Sequence, residues 1–420
     1  METAAARSRR DELSAILQQE VVSLDQLRSC CFHGVPDELG LRPLCWKLLL
    51  NYLPEKKSKW ESALVQQRNL YRVWTEEFII SPGKQDLPED AVDSSSRHDI
   101  TCDDHPLNPN PQSTWSTYFK DNEVLVQIDK DARRLYPDMC FFQRSTEFPL
   151  RTAGSDDGTK MVAAEYLRRR IDQCVLKSNA IVKNRSGGWN ISGGAKRATQ
   201  YLNLSGTEEA HWEVVERMLF LYAKLNPGQS YVQGMNEIIG PLYFTFSTDK
   251  DKTYREHAEA DTFFCFTNLM AEIRDRFIKH LDDSSSGIIS SMNRLMGMLK
   301  EADEVLWKRL MELDVKPQYF SFRWLMVLLS QEFALPEVLH LWDALFSDAH
   351  RFDLLLDICV AMLILIRDQL LDGDFAATMK LLQNYPISDV DQILCKAVQL
   401  RRRVLDNLEQ LPEHPLELTP

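Results

Sequence analysis

A chain of 420 residues, 44% of them hydrophobic and 26% charged, has ample apolar material for a packed core, and its length suggests two or three domains. The formal net charge of −13 argues against nucleic acid as the main partner, which would ask for a basic footprint, and the longest apolar stretch, Ile358 to Ile366, is too short to span a bilayer. Nine cysteines form no C-x-x-C pair and no zinc spacing, so reduced thiols in a cytosolic protein are the simplest account.

Leu13, Ile16 and Leu17 suit a short amphipathic helix over Asp11 to Gln19, with Met1 to Arg10 expected to fray. A second short helix starts after Ser23 and leads into Gly34-Val35-Pro36-Asp37. Pro43 is tolerated in a first helical turn, so a helix is predicted from Arg42 to Tyr52, stopped by Pro54, with Trp46, Leu49 and Leu53 as its core stripe. Trp60, Leu64, Tyr71, Trp74 and Phe78 fall at helical spacing and predict a long amphipathic helix that Ser81-Pro82-Gly83 ends. Residues 81 to 112 then lose all periodicity and read as a long loop. Asp103-Asp104-His105 is adjacent rather than facial in spacing, and no metal is assigned to it.

Leu125, Ile128, Ala132 and Leu135 mark the buried face of a helix that must end at Tyr136-Pro137. Ile128, Asp131 and Arg134 are successive i+3 neighbours on it. Asp131 can therefore brace Arg134 across one turn, while Arg134, in the last turn, can leave the helix end toward a partner. The same position would suit a cation that only complements the helix dipole. Arg133 points to another face. Residues 143 to 160 read as loop, Val162, Tyr166, Leu167, Ile171 and Val175 as a helix, and Lys183 to Leu204 as a second, basic and Gly/Ser-rich insertion. Its Ser192-Gly193-Gly194-Ala195-Lys196 lacks the frame that wraps a phosphate, so the chain is not expected to bind GTP itself.

Ser205-Gly206-Thr207-Glu208 is a capping-box pattern before a helical face of Trp212, Val215, Leu219 and Tyr222. That helix runs into the turn Asn226-Pro227-Gly228 and then Tyr231-Val232-Gln233-Gly234-Met235-Asn236-Glu237. The Gln233 amide carries both donors and an acceptor, so it can hold a water in line for attack, or simply bond nearby backbone. His257 and Glu259 read as the exposed start of a helix whose core stripe is Phe263, Phe266, Met270, Ile273 and Phe277. Gly287 to Arg403 is helical in pattern nearly throughout, through Leu295, Met298 and Leu299, then Leu306, Leu310 and Leu313, then Trp324, Val327 and Leu328, then Leu339, Trp342 and Leu345. No alternating strand pairs occur, so the class is all-α.

Three short motifs recur in a fixed order: Gly34-Val35-Pro36 followed by Arg42 and Trp46 as R-x-x-x-W, Ile128 to Arg134 as I-x-x-D-x-x-R, and Tyr231-Val232-Gln233 as Y-x-Q. With the blocks Arg323-Trp324-Leu325 and Leu341-Trp342-Asp343, this resembles the TBC-domain Rab GTPase-activating proteins over residues 33 to 347. The resemblance implies the multi-helical TBC fold with two loop insertions, near 81–112 and 183–204. Around it would lie an N-terminal helical extension over 1–32, C-terminal helices over 348–408 packed on the TBC domain, and a disordered tail over 409–420.

It further implies that Arg134 and Gln233 are catalytic, as an arginine finger and a glutamine finger, and that Tyr231 meets the GTPase switch region. Asp131, Ile128, Gly234, Asn236, Arg42 and Trp46 would support or touch the partner, although Arg42 and Trp46 read on their own as scaffold, a buried Trp with an Arg pairing a carboxylate. The implied partner is a GTP-bound Rab that carries the GTP and Mg2+, so the chain needs no cofactor of its own and turns over no substrate independently. It would act in the cytoplasm and transiently at the cytoplasmic face of vesicle or endosomal membranes. The alternative is a catalytically silent adaptor that binds the GTP-bound Rab.

Overall fold

Among the described residues of the computed structural model every regular element is helical, and strand-like pairing is limited to isolated bridges such as Ser145 with Ala210. The described residues are 4–36, 40–80, 114–151, 162–172, 174, 208–277, 287–386 and 389–409, with the side chains of 4–6, 114–119 and 404–409 left aside. The insertions expected at 81–112 and 183–204, the Ser205 capping pattern and nearly all of the tail lie outside them. The chain divides into two units, one of residues 1–59 with 268–420 and the other of 60–267. No helix among the described residues is long and apolar enough to cross a membrane.

In the first unit, α1 (Ala4–Gln18) buries Leu13, Ile16 and Leu17 as the spacing predicts. It begins seven residues earlier than the expected start at Asp11. The Arg9 guanidinium donates to the carbonyls of His33 and Gly34, which ties down the turn expected to fray. In α2 (Leu24–Cys31) the Ser23 side chain caps the start by accepting from Gln26 N. Helix α3 (Leu41–Leu49) stops short of the predicted Tyr52, because Lys47 O takes the N–H groups of both Tyr52 and Leu53 across a left-handed Asn51.

The remaining elements of this unit are α11 (Ile288–Ala302), α12 (Glu304–Glu312), α13 (Ser321–Met326), α14 (Leu335–Ser347), α15 (Arg351–Leu365), α16 (Arg367–Asp372), α17 (Phe375–Gln383) and α18 (Val390–Glu409). Their stripes follow the helical period, except that α11 buries Met296 rather than Met298. Helix α15 is apolar nearly all round because α11, α14 and α18 cover it from several sides. Gly34, at φ 88, lies where a Cβ would sit 2.3 Å from His340 Nδ1, so this turn accepts only glycine.

The second unit holds α4 (Trp60–Thr75), a π turn (Glu76–Ile80), α5 (Thr114–Ala132), α6 (164–172), α7 (His211–Leu225), α8 (Met235–Ser247), α9 (Lys252–Arg255) and the larger part of α10 (Ala258–Ile273), whose residues from 268 on count with the first unit. Helices α5, α7 and α8 pack on one another, and Gly240 lets α8 approach Leu135, where a Cβ would meet Leu135 Cδ1 at 3.0 Å. The start of α7 is capped by Glu213, whose Oε2 accepts from Ala210 N at 2.8 Å. Glu259 departs from the expected exposed position. Its carboxylate accepts from Arg217 Nε and Nη2, each at 2.7 Å, and from Tyr71 Oη at 2.6 Å, because the fully buried Arg217 needs acidic partners there. Glu209 is the other, joined to Arg217 by a short ion pair.

Candidate functional site

Helix α5 ends two residues before the motif arginine. Its last turn tightens, with Arg134 N bonded to Asp131 O at 3.2 Å and Leu135 N to Ala132 O at 3.2 Å, and Tyr136 then reverses the chain at φ 43. Arg134 therefore sits in a turn beyond the helix rather than in its last turn. Leu135 and Ile128 are fully buried and fix the register of this corner. Arg134 donates from Nε to Lys130 O at 2.9 Å and from Nη2 to Asp131 Oδ1 at 3.3 Å, while 68% of its side chain stays exposed. Such a guanidinium is aimed but not consumed, since Nη1 and most of its donors face solvent.

Arg133, one residue away, is bound differently. Its guanidinium pairs with Asp129 Oδ1 at 2.7 Å and lies 4.2 Å from the Trp212 ring centroid, so it ties α5 to α7. Side-chain removal there costs packing as well as charge.

The glutamine turn is shaped by two left-handed positions, Ser230 at φ 58 and Gly234 at φ 106, which bracket Tyr231 to Gln233. Val232 O accepts from Met235 N at 3.1 Å and closes the turn, and Gly234 serves as the N-cap of α8. Gln233 is exposed at its tip, and its amide makes no hydrogen bond among the described residues.

Asp131 joins the two segments. Its Oδ1 takes Arg134, and its Oδ2 accepts from Tyr231 Oη at 2.9 Å, while Tyr231 Oη also lies 3.3 Å from Asn236 Oδ1. Asn236 Nδ2 in turn donates to Glu237 Oε1 at 2.9 Å. Burial, and after it the Asp131 carboxylate, pushes the Tyr231 phenol far above its ordinary value, so it stays protonated and donates. The hydroxyl is thus turned inward onto Asp131. The connection through one carboxylate couples the placement of Arg134 to that of the Gln233 turn.

Arg42 and Trp46 form a separate centre within the first unit. Both Asp343 oxygens lie 3.1 Å from Arg42 Nε, Oδ2 also takes Arg42 Nη2 at 3.1 Å and Val35 N at 2.8 Å, and Oδ1 takes Trp46 Nε1 at 2.7 Å. Arg42 also donates to Val35 O at 2.6 Å. The Trp46 ring lies edge-on to Phe346 at 5.1 Å. Asp343 was visible in the sequence only as part of a motif block. Its pairing with Arg42 spans 301 residues and leaves no local signal. The left-handed backbone of Tyr136 and the contact of Glu237 with Asn236 were not foreseen either, because neither a left-handed tyrosine nor an amide-to-carboxylate contact has a spacing rule.

Among the described residues no group of three His, Cys, Asp or Glu could hold a metal ion. A family model described as the Rab-GTPase-TBC domain matches residues 190–371. The chain is 54% identical over 402 residues to TBC1 domain family member 13 of Homo sapiens, covering 94% of this chain and 98% of that protein. It is 34% identical over 447 residues to a TBC domain-containing protein of Schizosaccharomyces pombe, covering 91% and 71% respectively. Among solved structures, the Ypt/Rab-GAP domain of Gyp1p aligns with a TM-score of 0.63 at 22% identity, over 96% of this chain and 99% of that one, a likeness of fold.

Proposed function

The chain belongs to the Rab-GTPase-TBC domain family, and from that premise we propose that it is a GTPase-activating protein for a Rab-family small GTPase, to which it supplies Arg134 and Gln233 in trans. A small GTPase hydrolyses GTP slowly because charge developing on the transferring phosphoryl group is incompletely neutralised and the attacking water is poorly held. Arg134 answers the first need. Its planar fork can bond phosphate oxygens with several donors at once, which Lys cannot reproduce. A finger of this kind accelerates hydrolysis by roughly 10³ to 10⁵, or about 4 to 7 kcal/mol of barrier.

Gln233 answers the second by accepting from the water and donating to a neighbouring oxygen, which orients the nucleophile. Neither group needs a shifted proton equilibrium, since one is a permanent cation and the other a neutral amide. The GTP and Mg2+ enter with the partner. By ending the GTP-bound state, the protein would switch off Rab-directed membrane traffic at the cytoplasmic face of the membrane that holds the Rab.

What supports this reading most is the shared Asp131: the exposed Arg134 and the Gln233 turn are held by the two oxygens of one carboxylate, the second through Tyr231. That arrangement steadies Arg134 and the turn that carries Gln233, from distant parts of the chain, before any partner arrives.

The test is single-turnover GTP hydrolysis across a panel of purified Rab proteins with the wild type, Arg134→Ala and Gln233→Ala. Acceleration of one or a few Rabs, lost in both variants, is the expected outcome. Binding to a GTP-loaded Rab without any acceleration would replace the activator by the silent adaptor.

A further inference from the structure

In the unit of residues 60–267 a cavity of about 860 Å³ opens beside the start of α10. That volume lies in the range of small-molecule sites and is far larger than a lone ion needs. Its wall is made by α4, the extended segment 145–151, His211 of α7, Tyr243 of α8 and the corner 255–260. Arg134 and Gln233 are not part of it.

The first amides of a helix have no intrahelical acceptor and need one from elsewhere. At α10, a helix of 16 residues, Asp261 N is bonded to His257 O at 3.0 Å, but the N–H groups of Ala258, Glu259 and Ala260 have no partner among the described residues. All three residues line the cavity. The two carboxylates of this first turn would ordinarily satisfy such amides. Here both are drawn elsewhere, Glu259 onto Arg217 and Tyr71, and Asp261 onto Arg68 through bonds of 2.9 and 2.8 Å. Among the described residues the positive end of the helix is left open to the cavity, and the acidic charge beside it is already matched by the buried Arg217 and the half-buried Arg68.

A second, independent group points the same way. His211 is only 9% exposed and stacks on Phe141 at 4.2 Å, with Nδ1 2.8 Å from Tyr243 Oη. Its other ring nitrogen, Nε2, has no partner among the described residues. Burial lowers His211 to about 4, so at neutral pH the ring is uncharged and carries a single N–H. The buried Nε of Arg255 also lacks a partner, its Nη atoms being taken by Asp249 O and Glu147. Arg72 and Arg151 stand exposed on the wall with no ion pair among the described residues. Glu256 is the one wall carboxylate without a described partner, against these two arginines that have no ion pair among the described residues.

We propose that this cavity binds a phosphomonoester carried on a small polar molecule, with the phosphate seated on the Ala258–Ala260 amides and drawn in by Arg72 and Arg151. Helix amides and arginines are the donor set that a phosphate accepts from, and an uncharged imidazole beside them adds no competing acid. The same chemistry is offered by a free phosphorylated polyol and by a phosphorylated lipid headgroup, and the second source would give the protein a membrane contact of its own.

Hydrogen–deuterium exchange of the full chain would be followed with inorganic phosphate, with inositol trisphosphate, and with phosphatidylcholine vesicles with and without phosphatidylinositol phosphate. The expected result is slowed exchange at residues 258–260 with at least one phosphorylated probe, and a loss of affinity of about tenfold or more in Arg72→Glu/Arg151→Glu. Protection by soluble inositol trisphosphate alone assigns the free polyol, and protection only by phosphoinositide vesicles assigns the lipid. The milder Arg72→Gln/Arg151→Gln pair, with an unchanged thermal midpoint, covers the case in which charge reversal disturbs folding. No protection at 258–260 by any probe at millimolar concentration, or affinity unchanged in both double variants, would overturn the site.

Discussion

Asp343 and Asp131 each hold an arginine, yet the side chain of Arg42 is 11% exposed and that of Arg134 is 68% exposed. The difference lies in how the carboxylates are filled. Asp343 is fully buried and takes a backbone amide, an indole N–H and two guanidinium nitrogens, so every oxygen and most of the Arg42 fork are spent inside the protein. Asp131 gives Arg134 one long contact of 3.3 Å and keeps its shortest bond for Tyr231. Arg42 is wrapped on all sides, whereas Arg134, held at Nε by Lys130 O and at Nη2 by Asp131, leaves its remaining donors to solvent. The two motifs look alike in sequence because both are an arginine at a fixed helical spacing, and only the count of donors at the carboxylate separates them.

The largest effect is expected where the offered arginine is removed. Arg134→Ala and Arg134→Lys should each lower GAP-stimulated hydrolysis by roughly 10³ to 10⁵, about 4 to 7 kcal/mol, in single-turnover assays. Their urea midpoints should stay at the wild-type value, because an exposed ion pair contributes at most about 1 kcal/mol. Asp343→Ala should show the reverse pattern. It strands a buried guanidinium and should cost about 3 to 5 kcal/mol of unfolding free energy, read from urea titration. A stable Asp343→Ala protein, or an unfolded Arg134→Ala one, would break the comparison.

How much of this was legible follows from the range of the interactions. The helical class, the buried face of Leu125, Ile128 and Leu135, and the i+3 pairing of Asp131 with Arg134 all repeat within a turn or two of chain, so spacing alone foretells them. The end of α5, expected at Tyr136, comes four residues earlier at Ala132, because the chain tightens there and then reverses at the left-handed Tyr136, a conformation that tyrosine does not favour. The start of α1 was misjudged because its anchor is Arg9 reaching residues 33 and 34. Glu259 was read as exposed because its partners, Tyr71 and Arg217, are 188 and 42 residues away. Side chains whose bonds cross the fold carry no periodic signature.

Both halves of the comparison must be measured where the unit carrying Asp131 is intact, and His211 sets that limit. Its folded-state value of about 4 lies below the ordinary 6.5 because burial disfavours the cation. Between those values the unfolded chain binds more protons than the folded one, so stability rises with pH across this window. The 60–267 unit should therefore lose about 3 kcal/mol as pH falls from 6.5 to 4, since each tenfold rise in proton concentration there costs about 1.4 kcal/mol. Urea titrations at several pH values would show this, and His211→Phe should flatten that part of the profile. A wild-type stability independent of pH there would mean the imidazole is charged in the fold.

The smallest change tests whether Asp131 is a brace or merely another buried acid. Tyr231→Phe removes one hydroxyl and leaves Asp131 Oδ2 without its donor at 2.9 Å, while the ring keeps its packing. A hydrogen bond to a charged group is worth about 1.5 kcal/mol at the low end, so the maximal rate of stimulated hydrolysis should fall roughly tenfold. The concentration of activator giving half-maximal rate should change little, because the lost hydroxyl faces inward and acts through Asp131 on Arg134. Reintroducing a donor elsewhere cannot rescue the geometry, since the 3.3 Å contact from Asn236 bears on the same hydroxyl. A Tyr231→Phe protein that lost stability and kept its full rate would put Asp131 in the class of Asp343, and Arg134 would then need another reason for standing where it does.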